Sequence, residues 1–112
     1  MSLAPLPSRF VALPVGWALG VAVPVANGFR ARLLGLALLP AERAGPGLLL
    51  PRCRSIHTVG MRFPIDAVFL DGCGQEIRRV RLRPLRFARE RRADAVLELP
   101  VIAGGAARGR GV

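Results

Sequence analysis

The stretch that decides the fold is MRFPIDAVFL-DGCG-QEIRRVRLR, which runs from Met61 to Arg83. Its first half predicts a strand over Met61–Leu70, and one face of that strand is apolar at Phe63, Ile65, Ala67 and Phe69. Val68 and Leu70 are apolar on the other face, which is typical of a central strand. Asp71–Gly74 then predicts a hairpin turn, because Asp-Gly readily adopts positive φ angles.

A return strand is predicted over Glu76–Arg83, with Val80 and Leu82 facing inward. Its outward side chains are arginines: Arg79, Arg81 and Arg83. Outside this hairpin, short apolar runs bounded by Pro or Gly predict further strands. These are one or two strands within Val11–Val25, divided near Pro14–Gly16, and single strands at Leu48–Leu50 and Ala95–Leu99.

One helix is predicted over residues 28–39. Asn27 is a suitable N-cap, and Pro40 ends the segment. Between them, apolar residues recur at helical spacing: Phe29, Leu33, Leu36 and Ala37. We therefore expect a mainly β fold, a small antiparallel β-sandwich or jelly-roll-like barrel with one helix packed across it. Residues 11–102 form the domain, between a flexible N-terminal end (1–10) and a flexible Gly/Arg tail (103–112).

Composition fits one domain with a strong positive charge. The chain has 112 residues, 52% of them hydrophobic, and a net charge of +10. All 17 basic residues are arginine, which indicates either coding bias or selection for a planar donor that binds phosphate and carboxylate. With either cause, a surface this basic attracts polyanions.

The uncharged run from Phe10 to Ala26 has three interpretations: a weak signal peptide, a membrane helix or buried strands. Pro14 and Pro24 interrupt the run, and it is short for a membrane span. We therefore expect buried strands, no membrane span and a cytoplasmic location, with export as the alternative.

Four segments, in order, resemble the family named domain of unknown function 192. They are Arg32-Leu-Leu-Gly35-Leu36, Gly47–Leu50, the signature segment His57–Asp71, and Ala95–Pro100. The resemblance covers roughly residues 20–101 and implies a small β-sandwich or jelly roll with one helix, but no established activity. The chain departs from the family pattern after Pro100, where Ala-Gly, a short helix and a final strand usually follow. An unpaired sheet edge there would favour dimerisation, so we expect a monomer or an edge-mediated dimer.

The signature segment contains the main candidate site. Asp66 lies in an otherwise apolar strand, so its carboxylate needs partners. Arg62 lies on the same side of the strand, and His57 lies in the preceding loop. Three interpretations stay open: a structural Asp66 that accepts backbone or arginine hydrogen bonds, a ligand pocket of all three residues, and a catalytic acid/base pair.

The cysteines, Cys53 and Cys73, give weaker signals. Cys53 and His57 have a Cys-x3-His spacing, but no second ligand pair completes a zinc site. A disulfide or a Cys53/His57 nucleophilic dyad are further alternatives. Glycine-rich phosphate loops are absent from the sequence. We predict no catalytic residue, metal or cofactor from these patterns.

An arginine-rich segment gives the second candidate site. Residues 78–92 contain eight arginines, and Arg79, Arg81 and Arg83 would form a ladder on one sheet face that is suited to anions. Phe87 is the only ring in the segment, whereas stacking platforms for nucleic acid need several. The alternative is a solvated charged face.

These observations favour a non-enzymatic binding or accessory module for a small polar or anionic ligand or for a protein partner. A hydrolase or transferase that uses His57 and Asp66 is one alternative. A polyanion or nucleic-acid binder that uses the Arg79/Arg81/Arg83 face is the other.

Overall fold

The computed structural model describes residues 13–26 and 45–101, and all regular structure in these ranges is β. The eight strands are β1 (Val15–Ala18), β2 (Val21–Pro24), β3 (Leu48–Pro51), β4 (Ser55–His57), β5 (Ile65–Leu70), β6 (Glu76–Leu82), β7 (Phe87–Arg89) and β8 (Ala95–Pro100). The predicted mainly β class is confirmed. The predicted helix over 28–39, the N-terminal end 1–10 and the tail 103–112 lie outside the described residues.

A four-stranded antiparallel sheet forms the centre of the fold, in the order β3-β8-β5-β6. Every residue of β5 is buried, as predicted for a central strand. The hairpin that joins β5 to β6 is also confirmed. The strand begins at Ile65 rather than at Met61, since Pro64 directly before it has no N–H to donate to a neighbouring strand.

Two small antiparallel sheets, the β1–β2 hairpin and the β4–β7 pair, cover the two faces of this sheet. On one face, Ala18 and Val23 of the β1–β2 hairpin pack with β5 and β8 at Val68, Leu70, Leu97 and Leu99. On the other face, Ile56 and Ala88 of the β4–β7 pair join a larger cluster that includes Leu48, Ile65, Ala67, Phe69 and Val96. The arrangement is sandwich-like, and over the described residues the three sheets stay separate rather than closing into a barrel.

The β1–β2 hairpin turns at Leu19 and Gly20, which have φ angles of 51° and 77°. Two consecutive positive φ angles in a two-residue loop characterise a type I′ turn, which suits the twist of a hairpin. The predicted division near Pro14–Gly16 was therefore wrong in position, because Gly20 supplies the turn conformation. Val25, the residue after β2, forms a parallel bridge with Leu49 of β3.

The segment before the central strand differs from its prediction as a loop. Ser55–His57 is the strand β4, and it pairs with β7, which lies in the arginine-rich segment of residues 78–92. Buried Thr58 follows β4 and fixes this pair to the β6–β7 connection. Its hydroxyl donates to the Arg83 carbonyl at 2.7 Å and accepts from the Arg86 amide at 2.7 Å.

Candidate functional site

Asp66 is held by an arginine on the neighbouring strand. The β5–β6 register places Arg81 opposite Asp66, and the Arg81 guanidinium donates to both carboxylate oxygens, at 2.8 and 3.2 Å. Arg79 lies 4.0 Å from the same carboxylate. Asp66 is only 2% exposed, so this pairing supplies the partners that a buried carboxylate needs. The hydrogen bond to Asp66 raises the pKa of the Arg81 guanidinium.

Arg79 is also engaged with a carboxylate on its own strand. Its guanidinium donates to both oxygens of Glu76, at 2.9 and 3.2 Å, and this hydrogen bonding raises the pKa of Arg79 while partial burial opposes the rise. Arg83 lies just beyond the end of β6 and makes no ion pair with any described residue. Two of the three arginines in the predicted anion-binding ladder are therefore offset by Asp66 and Glu76.

The structure does not bring His57, Arg62 and Asp66 into one hydrogen-bonded group among the described residues. His57 is exposed at the end of β4, and its Nδ1 accepts from the Val59 amide at 3.3 Å. Arg62 is exposed in the turn before β5. Asp66 faces the side of the sheet that the β1–β2 hairpin covers, whereas β4 packs on the other side.

A cavity of about 480 Å³ lies at one end of the central sheet, lined by Arg52, Arg54, Ala93 and Asp94. We call it the arginine cavity. The strands β3 and β5 end at this cavity, and β8 begins there. The residue before β8, Asp94, donates its backbone amide to the carbonyl of Leu70, the last residue of β5, at 2.7 Å. Two further backbone hydrogen bonds join the loop after β3, residues 52–54, to this region: Cys53 N–H to Asp94 O at 3.2 Å, and Glu90 N–H to Arg54 O at 2.8 Å. The cavity therefore has a fixed backbone frame.

Arg52 has a φ angle of 50°, in the left-handed region that non-glycine residues rarely adopt. Such strained conformations persist only where the surrounding structure enforces them, and they are frequent at binding sites. The lining carries two guanidinium groups and one carboxylate, the side chain of exposed Asp94. The local charge is therefore positive, with one hydrogen-bond acceptor beside two strong donor groups.

A second cavity, of about 390 Å³, adjoins the first at Asp94, which lines both. Trp17 of β1 lines it and is 74% exposed, beside the Asp71–Gly74 turn of the β5–β6 hairpin. We call it the tryptophan cavity. The turn is rigid because Oδ1 of Asp71 accepts hydrogen bonds from the amides of Cys73 and Gln75, at 2.8 and 2.9 Å.

Sequence reasoning missed the residues of both cavities. The Pro51–Arg54 stretch gave one usable signal, two arginines that flank a cysteine between predicted strands. Nothing in the sequence indicates that this loop lies against Asp94, about forty positions later. The exposure of Trp17 depends on the position of the β1–β2 turn, which the sequence analysis placed elsewhere.

The two cysteines are free thiols. Cys53 donates from its sulfur to the Ser55 carbonyl at 3.0 Å, and Cys73 is exposed in the hairpin turn. Within residues 13–26 and 45–101, no three potential metal-ligating side chains form a group that could hold an ion.

Glu98 is a buried carboxyl that the sequence analysis did not single out. It lies on β8 opposite Leu48 and Ala67, on the face with the larger apolar cluster, and is 3% exposed. Among the described residues its Oε1 has no hydrogen-bond partner. Burial raises the pKa of Glu98 to about 8, so the carboxyl is mostly protonated at neutral pH.

The family comparison agrees with the resemblance in the sequence. The model of domain of unknown function 192 (DUF192), described as an uncharacterized ACR, matches residues 13–112. The chain belongs to the DUF192 family. The DUF192 match includes residues 103–112, where the Gly/Arg tail is predicted to depart from the family pattern. Comparisons with curated proteins and with solved structures find no match. In the part of this DUF192 protein that the structure describes, no helix is long and apolar enough to cross a membrane.

Proposed function

We propose that this DUF192 domain is a non-enzymatic binding module that holds a small anion in the arginine cavity. The observation that carries the proposal is the position of Arg52 and Arg54 around a cavity of about 480 Å³ on a frame fixed by backbone hydrogen bonds. Guanidinium groups bind phosphate and carboxylate through paired N–H donors, so two of them in one cavity suit an oxyanion.

The expected affinity is modest because the cavity is open to solvent. A hydrogen bond to a charged group contributes roughly 1.5–3 kcal/mol, and part of that gain offsets the loss of translational freedom on binding. Two arginines then support a dissociation constant between about 10 µM and 1 mM for an inorganic oxyanion. The carboxylate of Asp94 favours ligands that also carry a hydroxyl or N–H group.

Arg54 makes this cavity better suited to an anion than the predicted Arg79/Arg81/Arg83 face. Asp66 and Glu76 already occupy the guanidinium groups of Arg81 and Arg79, whereas Arg54 makes no ion pair with any described residue. A small-ligand pocket or a hydrolase that uses His57 with Asp66 has less geometric support, because the two side chains belong to opposite sides of the sheet.

Several finer predictions from the sequence stay proposals alongside this function. They are the helix over 28–39 that would complete a jelly roll, the cytoplasmic location, and the monomer or edge-mediated dimer. β6 is an edge strand among the described residues, and four of its seven side chains are charged, three arginines and one glutamate. Charged edges discourage strand pairing between chains, which favours the monomer.

The test is an isothermal titration of the full chain with sodium phosphate and sodium citrate at low ionic strength. Arg54→Gln should weaken binding at least tenfold. Arg83→Gln is the matched control, because it removes the same charge from an exposed arginine outside the cavity, and it should change affinity less than twofold. Equal losses of affinity in both variants would show that the anion is held by general electrostatic attraction, and this result would overturn the proposal.

A further inference from the structure

The arginine and tryptophan cavities share Asp94 and differ in the chemistry of their linings. Arg52 and Arg54 line the first cavity, Asp94 lines both, and Trp17 lines the second. With volumes of about 480 and 390 Å³, each cavity is large enough for a fragment of a small ligand.

Trp17 is the feature of the tryptophan cavity that the fold does not explain. The side chain is 74% exposed although the neighbouring Ala18 on the same hairpin is buried in the core. A large ring that contributes so little to the core remains available for a ligand. Indole rings bind flat, polarisable groups by stacking, and they do so for every nucleobase.

The carboxylates of this region restrict the middle of the ligand. Asp94 lines both cavities, and Asp71 lines the tryptophan cavity with only its Oδ1 engaged by backbone amides of its own turn. Carboxylates repel a second anionic group and accept hydrogen bonds from hydroxyl and N–H groups. A fitting ligand therefore has an anion at one end, donors in the middle and a flat ring at the other end.

We propose that the two cavities together bind a free nucleoside monophosphate. Its phosphate binds at Arg54 in the arginine cavity, its sugar hydroxyls donate to Asp94, and its base stacks on Trp17. This inference rests on the proposed function for the phosphate end, and it adds the identity of the remainder of the ligand. The net charge of +10 also favours the approach of such an anion.

The chain provides a direct optical readout for this proposal. Trp17 is the only tryptophan and there is no tyrosine, so intrinsic fluorescence excited at the indole band reports on this one ring. Titration of the full chain with adenosine 5′-monophosphate should quench the emission with saturation. Ribose 5-phosphate, which lacks the ring, and adenosine, which lacks the phosphate, should each bind at least tenfold more weakly.

Two variants separate the contributions of ring and phosphate. Measured by isothermal titration, because the variant removes the fluorescent ring, Trp17→Leu should weaken binding of adenosine monophosphate at least tenfold and leave the affinity for inorganic phosphate within twofold. The matched control is Phe87→Leu, since Phe87 is an exposed ring on β7 that lines neither cavity, and this variant should bind the nucleotide like wild type. Arg54→Gln should weaken the binding of both the nucleotide and inorganic phosphate.

The outcomes distinguish this inference from the function on which it rests. One outcome is phosphate binding that depends on Arg54, with an affinity for the nucleotide no better than that for ribose 5-phosphate. This result would overturn the proposal that the ligand is a nucleotide and would leave the anion site standing. Absence of phosphate binding overturns the proposed function itself. Binding of a single-stranded oligonucleotide without binding of the mononucleotide would also overturn the inference, in favour of a nucleic-acid surface.

Discussion

Glu98 makes the stability of the domain depend on pH in an unusual direction. The carboxyl is 3% exposed, its Oε1 has no partner among the described residues, and burial raises its pKa from the ordinary 4.5 to about 8. A group whose pKa is higher in the folded state binds its proton more tightly there than in the unfolded chain. Its contribution to stability is therefore complete below about pH 4.5 and is lost as the pH rises through about 8.

The size of this effect follows from the two pKa values. Because one pKa unit corresponds to about 1.4 kcal/mol, the free energy of unfolding should fall by up to about 5 kcal/mol between pH 4.5 and pH 8. That loss is a large part of the roughly 5–15 kcal/mol that stabilises a typical domain. Glu98→Gln keeps the shape and removes the titration, so its unfolding free energy should lose this dependence on pH.

The assay is urea unfolding followed by circular dichroism at pH 5, 6, 7 and 8, for wild type and Glu98→Gln. At pH 5 the variant should be less stable by about 1–3 kcal/mol, because the buried amide brings N–H donors that need partners. At pH 8 the order should reverse. Parallel curves for the two proteins, or a wild type that gains stability between pH 5 and pH 8, would contradict a raised pKa of Glu98 in the folded state.

Three further substitutions test the frame of the fold by urea unfolding. Gly47→Ala should cost more than about 2 kcal/mol, because φ is 136° and a Cβ would lie 2.8 Å from a β8 carbonyl oxygen; a change below 0.5 kcal/mol would contradict the close approach. Leu19→Asn should gain about 0.5–1 kcal/mol, since asparagine tolerates the positive φ of this turn better than leucine; a loss of stability would show that the turn is not strained. Thr58→Val should cost about 1–3 kcal/mol through the lost hydroxyl bonds to the β6–β7 connection, and unchanged stability would show that these bonds contribute nothing.

The central hairpin was predictable because its signal is local. The alternation of apolar residues from Phe63 to Phe69 and the Asp71–Gly74 turn specify β5, its burial and its antiparallel partner. By contrast, β4 and β7 have three residues each and cannot display a periodic pattern. They form because of their pairing with each other and because Thr58 fixes them to the β6–β7 connection.

The partner of Asp66 shows where sequence reasoning about the site stops. The need of a buried carboxylate for an arginine was predictable, and Arg62 was the candidate at short separation along the strand. The actual partner is Arg81, which the β5–β6 register places opposite Asp66. That register includes an irregularity between Phe69 and Leu70, which a pattern of residue types does not reveal.

The cavities depend on contacts that are even more distant in the chain. The arginine cavity forms where the loop after β3 meets the start of β8, and the tryptophan cavity adds the β1–β2 hairpin. Each contributing segment is short, and its own sequence does not indicate which other segments it meets. Only the packing of the hairpins on the central sheet brings their side chains together, so composition indicated an anion binder without indicating the residues.

A phosphate titration of the ¹⁵N-labelled full chain, followed by amide and arginine Nε resonances, tests the central claim most directly. The arginine cavity predicts saturable shifts that are largest at Arg52–Arg54 and at Ala93 and Asp94, with a dissociation constant below about 1 mM. Shifts centred instead on His57, Arg62 and Asp66, or spread along the Arg79/Arg81/Arg83 face, would contradict the account and place the anion at one of the other predicted sites.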